Sequence, residues 1–366
     1  MSVAFKDVNC REEEFFANHE KVRRIELGDI VAFIAVHNTH LGPSLGGCRM
    51  RPYHDEADAI QDVLRLSQGM TYKNALADLP LGGGKAVIIG DPRATKTTEL
   101  MNAMGEAVDS LKGLYITAED SGTGEEDMVA MHAATQYVTG LPHEEESLGG
   151  NPSPVTAWGL YHALQSAANF RYGSPDLIGL RVAIQGIGAV GYPLAELLYK
   201  DSVELVVCDT DQSALEKAEK DFPGIKIVDL DSIYKQEVQI FAPCAMGAVL
   251  NDDTIPQLQC DVVVGAANNQ LHRAHHDEQL AQKDILYVPD FVANAGGVVC
   301  VAYEYFQASG YNPRHFTLNR PAMMEHVAHI GDTVTGILEH AKDNALTPGQ
   351  AANSRAEAIF GNDLAA

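Results

Sequence analysis

The sequence predicts an α/β protein of two domains, the second built on a doubly wound parallel sheet. Three observations carry this. A chain of 366 residues suits two domains of ordinary size. After the loop HEEESLGGNPSP, short apolar runs alternate with polar or amphipathic stretches, as strands buried on both faces do when crossovers join them. The first of those runs, RVAIQ, leads into Gly186-Ile187-Gly188-Ala189-Val190-Gly191 and the helical stretch AVGYPLAELLYK. That strand–turn–helix context is the one in which a G-x-G-x-x-G run cradles phosphates.

The elements follow in order. Residues 30–36 alternate like a half-buried strand. Residues 55–69 place Ala59, Val63 and Leu66 at helical spacing. LGGGKAVIIGD, from Leu81, reads as a glycine run entering a strand, and LYITAEDSGT as a short strand ending on Glu119 and Asp120. Six candidate strands come next: RVAIQG from Arg181, VELVVCD from Val203, KIVDL from Lys226, VQIFAP from Val238, DVVVGAAN from Asp261 and ILYVPD from Ile285. This succession fits a Rossmann-type nucleotide domain. Met323, Val327, Ile330, Val334 and Ile337 then form one apolar helical stripe, and Thr347-Pro348 caps a last helix. The expected division is 1–145, 146–330 and a helical tail, 331–366, packing back toward the first domain.

Composition narrows the partners. A net charge of -24 repels phosphate backbones and argues against nucleic acid. No apolar run approaches the roughly 20 residues of a membrane span, and the acidic start MSVAFKDVNCREEEFF is not a signal peptide, so a cytoplasmic location is expected. The six cysteines show no C-x-x-C spacing and no histidine set of a zinc site; no metal and no disulfide are expected.

Within the fingerprint, Gly186 allows the tight turn, Gly188 lets backbone approach a pyrophosphate, and Gly191 lets the helix sit close on the sheet. Ala189 and Val190 carry the chain to the helix N-terminus, whose N–H groups meet the phosphates. Asp209 ends the next strand, where a carboxylate binds ribose hydroxyls and repels the extra phosphate of NADP; Thr210-Asp211-Gln212-Ser213 offers no basic residue. The cofactor expected is therefore NAD. The alternative is a tight strand–helix turn with no ligand.

Lys73, in GMTYKNA, ends an amphipathic helix, and Lys85, in LGGGKAVIIG, lies among uncharged neighbours. Most lysines are solvated surface charges. A desolvated ammonium is disfavoured, which suits Lys85 to general-base work, and the preceding glycines are expected to admit a substrate close to backbone. Asp120 is a candidate site carboxylate, or else an ordinary loop cap. Two lysines and a carboxylate suit one reaction, in which one lysine grips a substrate carboxylate while the other groups move protons at an amino or carbonyl centre.

The strings LGPSLGGCRM, LSQGMTYKNALADLPLGGGKAVIIGDP, YITAEDSGT, GNPSPVTAWG, APCAMGAVLNDDTIP, GAANNQL and PDFVANAGGVV closely resemble the glutamate/leucine/phenylalanine/valine dehydrogenase superfamily, its leucine-specific branch above all. The resemblance runs from Leu41 to about Tyr305. It implies an amino-acid dehydrogenase in which the first half binds substrate, the second binds NAD, and a deep cleft separates them. It implies that Lys73 binds the substrate carboxylate, that Lys85 is the general base activating water, and that Asp120 shuttles protons at the nitrogen. Gly46, Gly47 and Met70 would lie by the substrate carboxylate, Asn268 by the nicotinamide ribose and carboxamide, and Asn294 near the cleft. Such relatives range from dimers to octamers, so a homo-oligomer is expected, of a size the sequence does not give. The chain departs from leucine enzymes at Cys48, where many have Thr, at Gly124 after SGT, and at Gly191, where several carry Ala.

The resemblance also bears on specificity. Glutamate enzymes place Lys and Ser where this chain has Leu45 and Val301. With Ala118 and Val298 nearby, the implied pocket has no partner for a distal carboxylate, and burying one there is costly. An apolar side chain is expected, leucine, isoleucine or valine first, with an aromatic substrate as the alternative. A non-catalytic nucleotide sensor would have lost Lys73, Lys85 and Asp120. A 2-hydroxy-acid dehydrogenase would need a His–carboxylate pair and an Arg; His272, His275 and His276 read instead as a solvated helical face.

Overall fold

Strands β1 (Val3–Asp7), β2 (Lys21–Leu27), β3 (Ile30–Asn38) and β4 (Ser44–Arg51) are followed by α1 (Glu56–Leu76), β5 (Gly82–Ile89), the one-turn α2 (Pro92–Thr95), α3 (Thr98–Asp109), β6 (Tyr115–Glu119) and α4 (Glu125–His132). These belong to the first of two compact units in the computed structural model, which describes residues 2–13, 15–142 and 148–361. That unit comprises Met1–Asn151, Cys300–Arg320 and Ala356–Ala366; the second comprises Pro152–Val299 and Pro321–Arg355. The boundary expected at 145 lies outside the described residues, as does part of the HEEESLGGNPSP loop.

The first sheet has the order β1-β2-β3-β5-β4-β6. It is antiparallel from β1 through β5 and parallel across β5, β4 and β6. Strand periodicity sorts its two faces. Val87 packs with Phe33 and with Ala59, Val63 and Leu64 of α1, whereas Ala86 and Ile88 pack with Leu100, Met104 and Val108 of α3 and Met128 and Met131 of α4. Helix α1 starts at Asp55, whose carboxylate accepts the Asp58 N–H at 2.9 Å.

The glycine run does not precede the strand; Gly82–Gly84 are the strand's first three residues. Gly83 faces α1 so closely that a Cβ there would stand 2.1 Å from the Thr71 nitrogen. The space expected for a substrate is taken by the protein's own helix, which glycine allows to lie on the sheet.

The second unit carries α5 (Ser153–Tyr172), β7 (Arg181–Gln185), α6 (Gly191–Lys200), β8 (Glu204–Cys208), α7 (Gln212–Asp221), β9 (Lys226–Ile227), β10 (Ile240–Pro243), β11 (Val262–Val263), α8 (His276–Gln282), β12 (Leu286–Tyr287) and the one-turn α9 (Asp290–Ala293). The order β12-β11-β10-β7-β8-β9 is parallel throughout. The direction of winding reverses between β7 and β10, the switch point at which such sheets bind nucleotides.

Helix α10 (Gly296–Ser309) precedes α11 (Arg320–Ala328), α12 (Ile330–Asn344) and α13 (Pro348–Phe360). The stripe expected on one helix is divided between α11 and α12, which meet at His329, and all five of its residues are buried. Asp277 of α8 accepts the Gly349 N–H at 2.9 Å at the start of α13. Where the sequence suggested a division at 330, residues 321–355 group with the second unit, and from Ala356 the chain groups with the first. There Tyr72 donates to Glu357 at 2.6 Å and meets the Phe360 ring edge-on. No helix among the described residues is long and apolar enough to cross a membrane.

Candidate active site

Three adjacent strands of the first unit bring opposite charges together. Lys85 on β5 is 6% exposed, and its Nζ makes direct ion-pair contact with Oδ2 of Asp120, the residue just past β6. Arg49 on β4 places Nε 3.3 Å from the same oxygen. Asp120 Oδ1 accepts the Ser121 N–H at 2.7 Å. Thr123 fixes the corner, its hydroxyl accepting the Asp120 N–H at 3.0 Å and donating to the Cys48 carbonyl at 2.8 Å. Burial alone would push the Asp120 carboxyl up. The Lys85 and Arg49 charges outweigh it and hold that carboxyl far below its usual range.

Arg49 was not among the residues expected. Its Nη1 donates to Asp62 Oδ2 on α1 at 3.0 Å, an oxygen that also receives the Tyr53 hydroxyl at 2.8 Å, while Arg65 donates to Oδ1 at 3.1 Å. The signal was present as strand periodicity, since Leu45, Gly47 and Arg49 share one face of β4 once it is read as a strand.

Gly46 and Gly47 are buried on β4. A Cβ on Gly47 would stand 2.8 Å from the Asp120 Cβ, and one on Gly46 3.1 Å from the Met70 Cγ. Lys73, half-buried, lies one helical turn beyond Met70 on the same face of α1. Leu45 is fully buried and Ala118 nearly so. Val301, on α10, gives its carbonyl to the Thr139 hydroxyl at 2.9 Å, and Thr139 donates its N–H to Thr117, next to Ala118, at 2.9 Å. Glu304, one turn further along α10, accepts the N–H groups of Gly140 and Leu141, each at 2.9 Å. Lys85, Asp120, Gly46, Gly47 and Met70 are thus brought together, with Val301 tied to the strand carrying Ala118. Val298 belongs to the second unit.

In that unit the fingerprint follows β7 directly. Gly186 has φ +95°, a conformation that favours glycine, and a Cβ on Gly191 would meet the Gly186 carbonyl oxygen at 1.9 Å. Gly188 faces open space, Ala189 is exposed, and Val190 caps α6. Asp209 accepts the Ile187 N–H at 2.6 Å and the Asp211 N–H at 2.8 Å, which aims its carboxylate along the glycine turn. It borders a recess of about 510 Å³ whose one lining cation among the described residues, Lys226, donates to Gln236 at 2.8 Å. Asn294 donates to Asn268 Oδ1 at 2.8 Å and to the Ala266 carbonyl at 3.0 Å, leaving its own buried Oδ1 without a hydrogen-bond partner. An open glycine turn, an oriented carboxylate and an orphaned amide oxygen fit a dinucleotide with a carboxamide.

The histidine cluster matches expectation at His272 and His275, which are exposed, and differs at His276. His276 is fully buried rather than on a solvated face, because the start of α8 turns it inward. Its Nδ1 accepts the Arg273 N–H at 2.9 Å, and its Nε2 lies 3.3 Å from Asp252. In the neutral ring that acceptor role leaves the proton on Nε2, a donor toward Asp252 rather than a lone pair for a metal.

Comparison with known proteins agrees with this arrangement. Residues 15–137 match the Glu/Leu/Phe/Val dehydrogenase dimerisation domain, and residues 204–356 match the glutamate/leucine/phenylalanine/valine dehydrogenase model. The chain is 50% identical to a leucine dehydrogenase of Bacillus subtilis over 78% of each protein. It is 41% identical to a phenylalanine dehydrogenase of Caldalkalibacillus thermarum over 97% of this chain and 93% of that one. Among solved structures, L-tryptophan dehydrogenase from Nostoc punctiforme superposes with a TM-score of 0.81 at 39% identity, covering 96% of this chain and 98% of that one. Identity of this extent, over a fold that places an ion-paired lysine and aspartate on one unit and a glycine-rich strand–helix turn on the other, assigns the chain to the glutamate/leucine/phenylalanine/valine dehydrogenase family, as a nicotinamide-dependent amino-acid dehydrogenase.

Proposed function

We propose that the enzyme catalyses the reversible NAD-dependent oxidative deamination of an aliphatic L-amino acid, leucine, isoleucine or valine, to the 2-keto acid, ammonium, NADH and a proton. The observation that carries the chemistry is the buried contact between Lys85 and Asp120 beside Gly46 and Gly47. Bound nicotinamide supplies the acceptor for the hydride that leaves Cα. Lys73 pairs with the substrate carboxylate. Asp120 takes a proton from the substrate nitrogen and later returns one to it. Lys85 removes a proton from the water that adds to Cα of the resulting iminium, and collapse of that adduct releases ammonia.

Side-chain preference rests on Leu45, Ala118, Val298 and Val301, the last two one turn apart on α10. None offers a charge to a distal carboxylate, so glutamate is disfavoured. NAD is favoured by Asp209, whose carboxylate repels a 2′-phosphate. Assembly from several copies is supported by the dimerisation-domain match. Preference for an aromatic amino acid is the second reading, favoured by the small Ala118 and by similarity to tryptophan and phenylalanine dehydrogenases.

The test is NADH formation at alkaline pH with leucine, isoleucine, valine, phenylalanine, tryptophan and glutamate, each with NAD and NADP. Fastest turnover of the aliphatics with NAD is expected. Preference for a ring selects the second reading, and no turnover on any substrate contradicts both.

A further inference from the structure

The charges beside Asp120 continue away from the reacting groups in alternating sign. Lys85 meets Asp120, Asp120 meets Arg49, Arg49 meets Asp62, and Asp62 meets Arg65 and Tyr53. Arg49 spans the middle with two different atoms, Nη1 on Asp62 at 3.0 Å and Nε at 3.3 Å from Asp120. Only a planar fork reaches both carboxylates at once. Asp62 is 9% exposed and holds the guanidinium from α1, and its two oxygens accept three donors in all.

We propose that Arg49, clamped by Asp62, is a positioning residue that fixes the Asp120 carboxylate against Lys85 and keeps that carboxylate from holding the proton it takes from the substrate nitrogen. The proposal rests on the roles given above to Lys85 and Asp120. A guanidinium stays charged at every working pH. When Lys85 gives up its proton, Arg49 is the cation that remains in contact with Asp120, and it keeps the carboxylate from retaining a proton taken from the substrate. The other titratable groups facing Asp120 cannot do this. Cys48 is a neutral thiol, pushed up by burial to about 12; the Tyr115 phenol is raised well above its usual range, also by burial; and Glu119 carries the wrong sign. Asp127, which bears on Cys48, pairs with Lys96 at 2.7 Å.

A cation 3.3 Å from the carboxylate oxygen that Lys85 also contacts opposes proton uptake by Asp120, so its removal makes that carboxylate easier to protonate. In R49Q the acid limb of the kcat/KM profile for leucine deamination is expected to move up by about one pH unit. D62N should move it the same way by less, because Arg49 keeps its charge but loses its anchor. R49K should bring the limb back toward wild type while kcat stays at least about tenfold low, since a point charge cannot bridge two carboxylates. NADH binding and Tm, measured on every variant, identify loss of fold. A limb that stays in place in R49Q with NADH binding retained overturns the proposal and leaves Arg49 a structural residue. D120N separates this failure from failure of the underlying reading: wild-type turnover and profile in D120N would remove Asp120 from the chemistry, whereas a crippled D120N with an unmoved R49Q limb refutes the role of Arg49 alone.

Discussion

The ammonium of Lys85 touches a carboxylate oxygen of Asp120 inside a sheet where the lysine is 6% exposed. A buried pair of this kind is weak evidence for stability, because desolvation offsets much of the attraction. Its location beside glycines that a side chain would close off from Asp120 points to chemistry instead.

Asp209 is expected to set cofactor choice. Asp209→Ser removes the carboxylate that opposes a 2′-phosphate, together with the acceptor for the Ile187 N–H. The ratio of kcat/KM for NAD over NADP should fall by about tenfold or more. An unchanged ratio would show that the ribose binds elsewhere.

Val301 is expected to bound the side-chain pocket. Val301→Ala removes two methyl groups, and such changes alter discrimination by about 1–3 kcal/mol. The kcat/KM of phenylalanine relative to leucine should rise by about tenfold. Equal loss on both substrates would place Val301 outside the pocket.

The first unit should lose stability in acid through two rings. Burial, reinforced by neighbouring His37, holds His19 at about 4, and burial does the same to His37. Both values lie below the unfolded value near 6.5, so the unfolded chain binds protons that the folded one refuses. Stability is full above about pH 6.5 and falls as pH drops toward 4, by on the order of 2 kcal/mol for each ring. Urea midpoints at pH 7 and pH 5 check this, and in H19Q/H37Q the difference between them should shrink. An undiminished difference would assign the acid loss to other groups.

Gly83→Ala should destabilise the fold rather than act on substrate alone. The added methyl would collide with the Thr71 backbone, at a cost of about 3 kcal/mol. A drop of several degrees in Tm is expected, and an unchanged Tm would contradict the close packing of α1 on β5.

Much of the second unit was legible in the sequence, because strands buried on both faces are written as continuous apolar runs. RVAIQG and VELVVCD fall on β7 and β8 within a residue or two at each end. Strand β4 was legible mainly as a motif: in SLGGCRMR two glycines leave only Cys48 and Met50 alternating with charged residues, and its pairing comes from β5 and β6 on either side. With the strand unseen, the position of Arg49 beside Asp120 was unseen too. Lys85 and Asp120 were readable from their strings, but their contact depends on the order β5-β4-β6, which brings together segments distant in sequence. His276 was misjudged because a short helix exposes or buries a histidine according to what packs on it, which the local pattern HRAHHDE does not encode.

The most direct test of the central claim is deamination of leucine by Lys85→Ala with NAD, measured beside NADH binding to the same protein. If Lys85 activates the attacking water from unit 1 while the dinucleotide rests on unit 2, turnover falls by at least about a hundredfold and the affinity for NADH stays within about twofold. Turnover near wild type, with leucine still converted to its keto acid, would remove Lys85 from the base role and contradict the account.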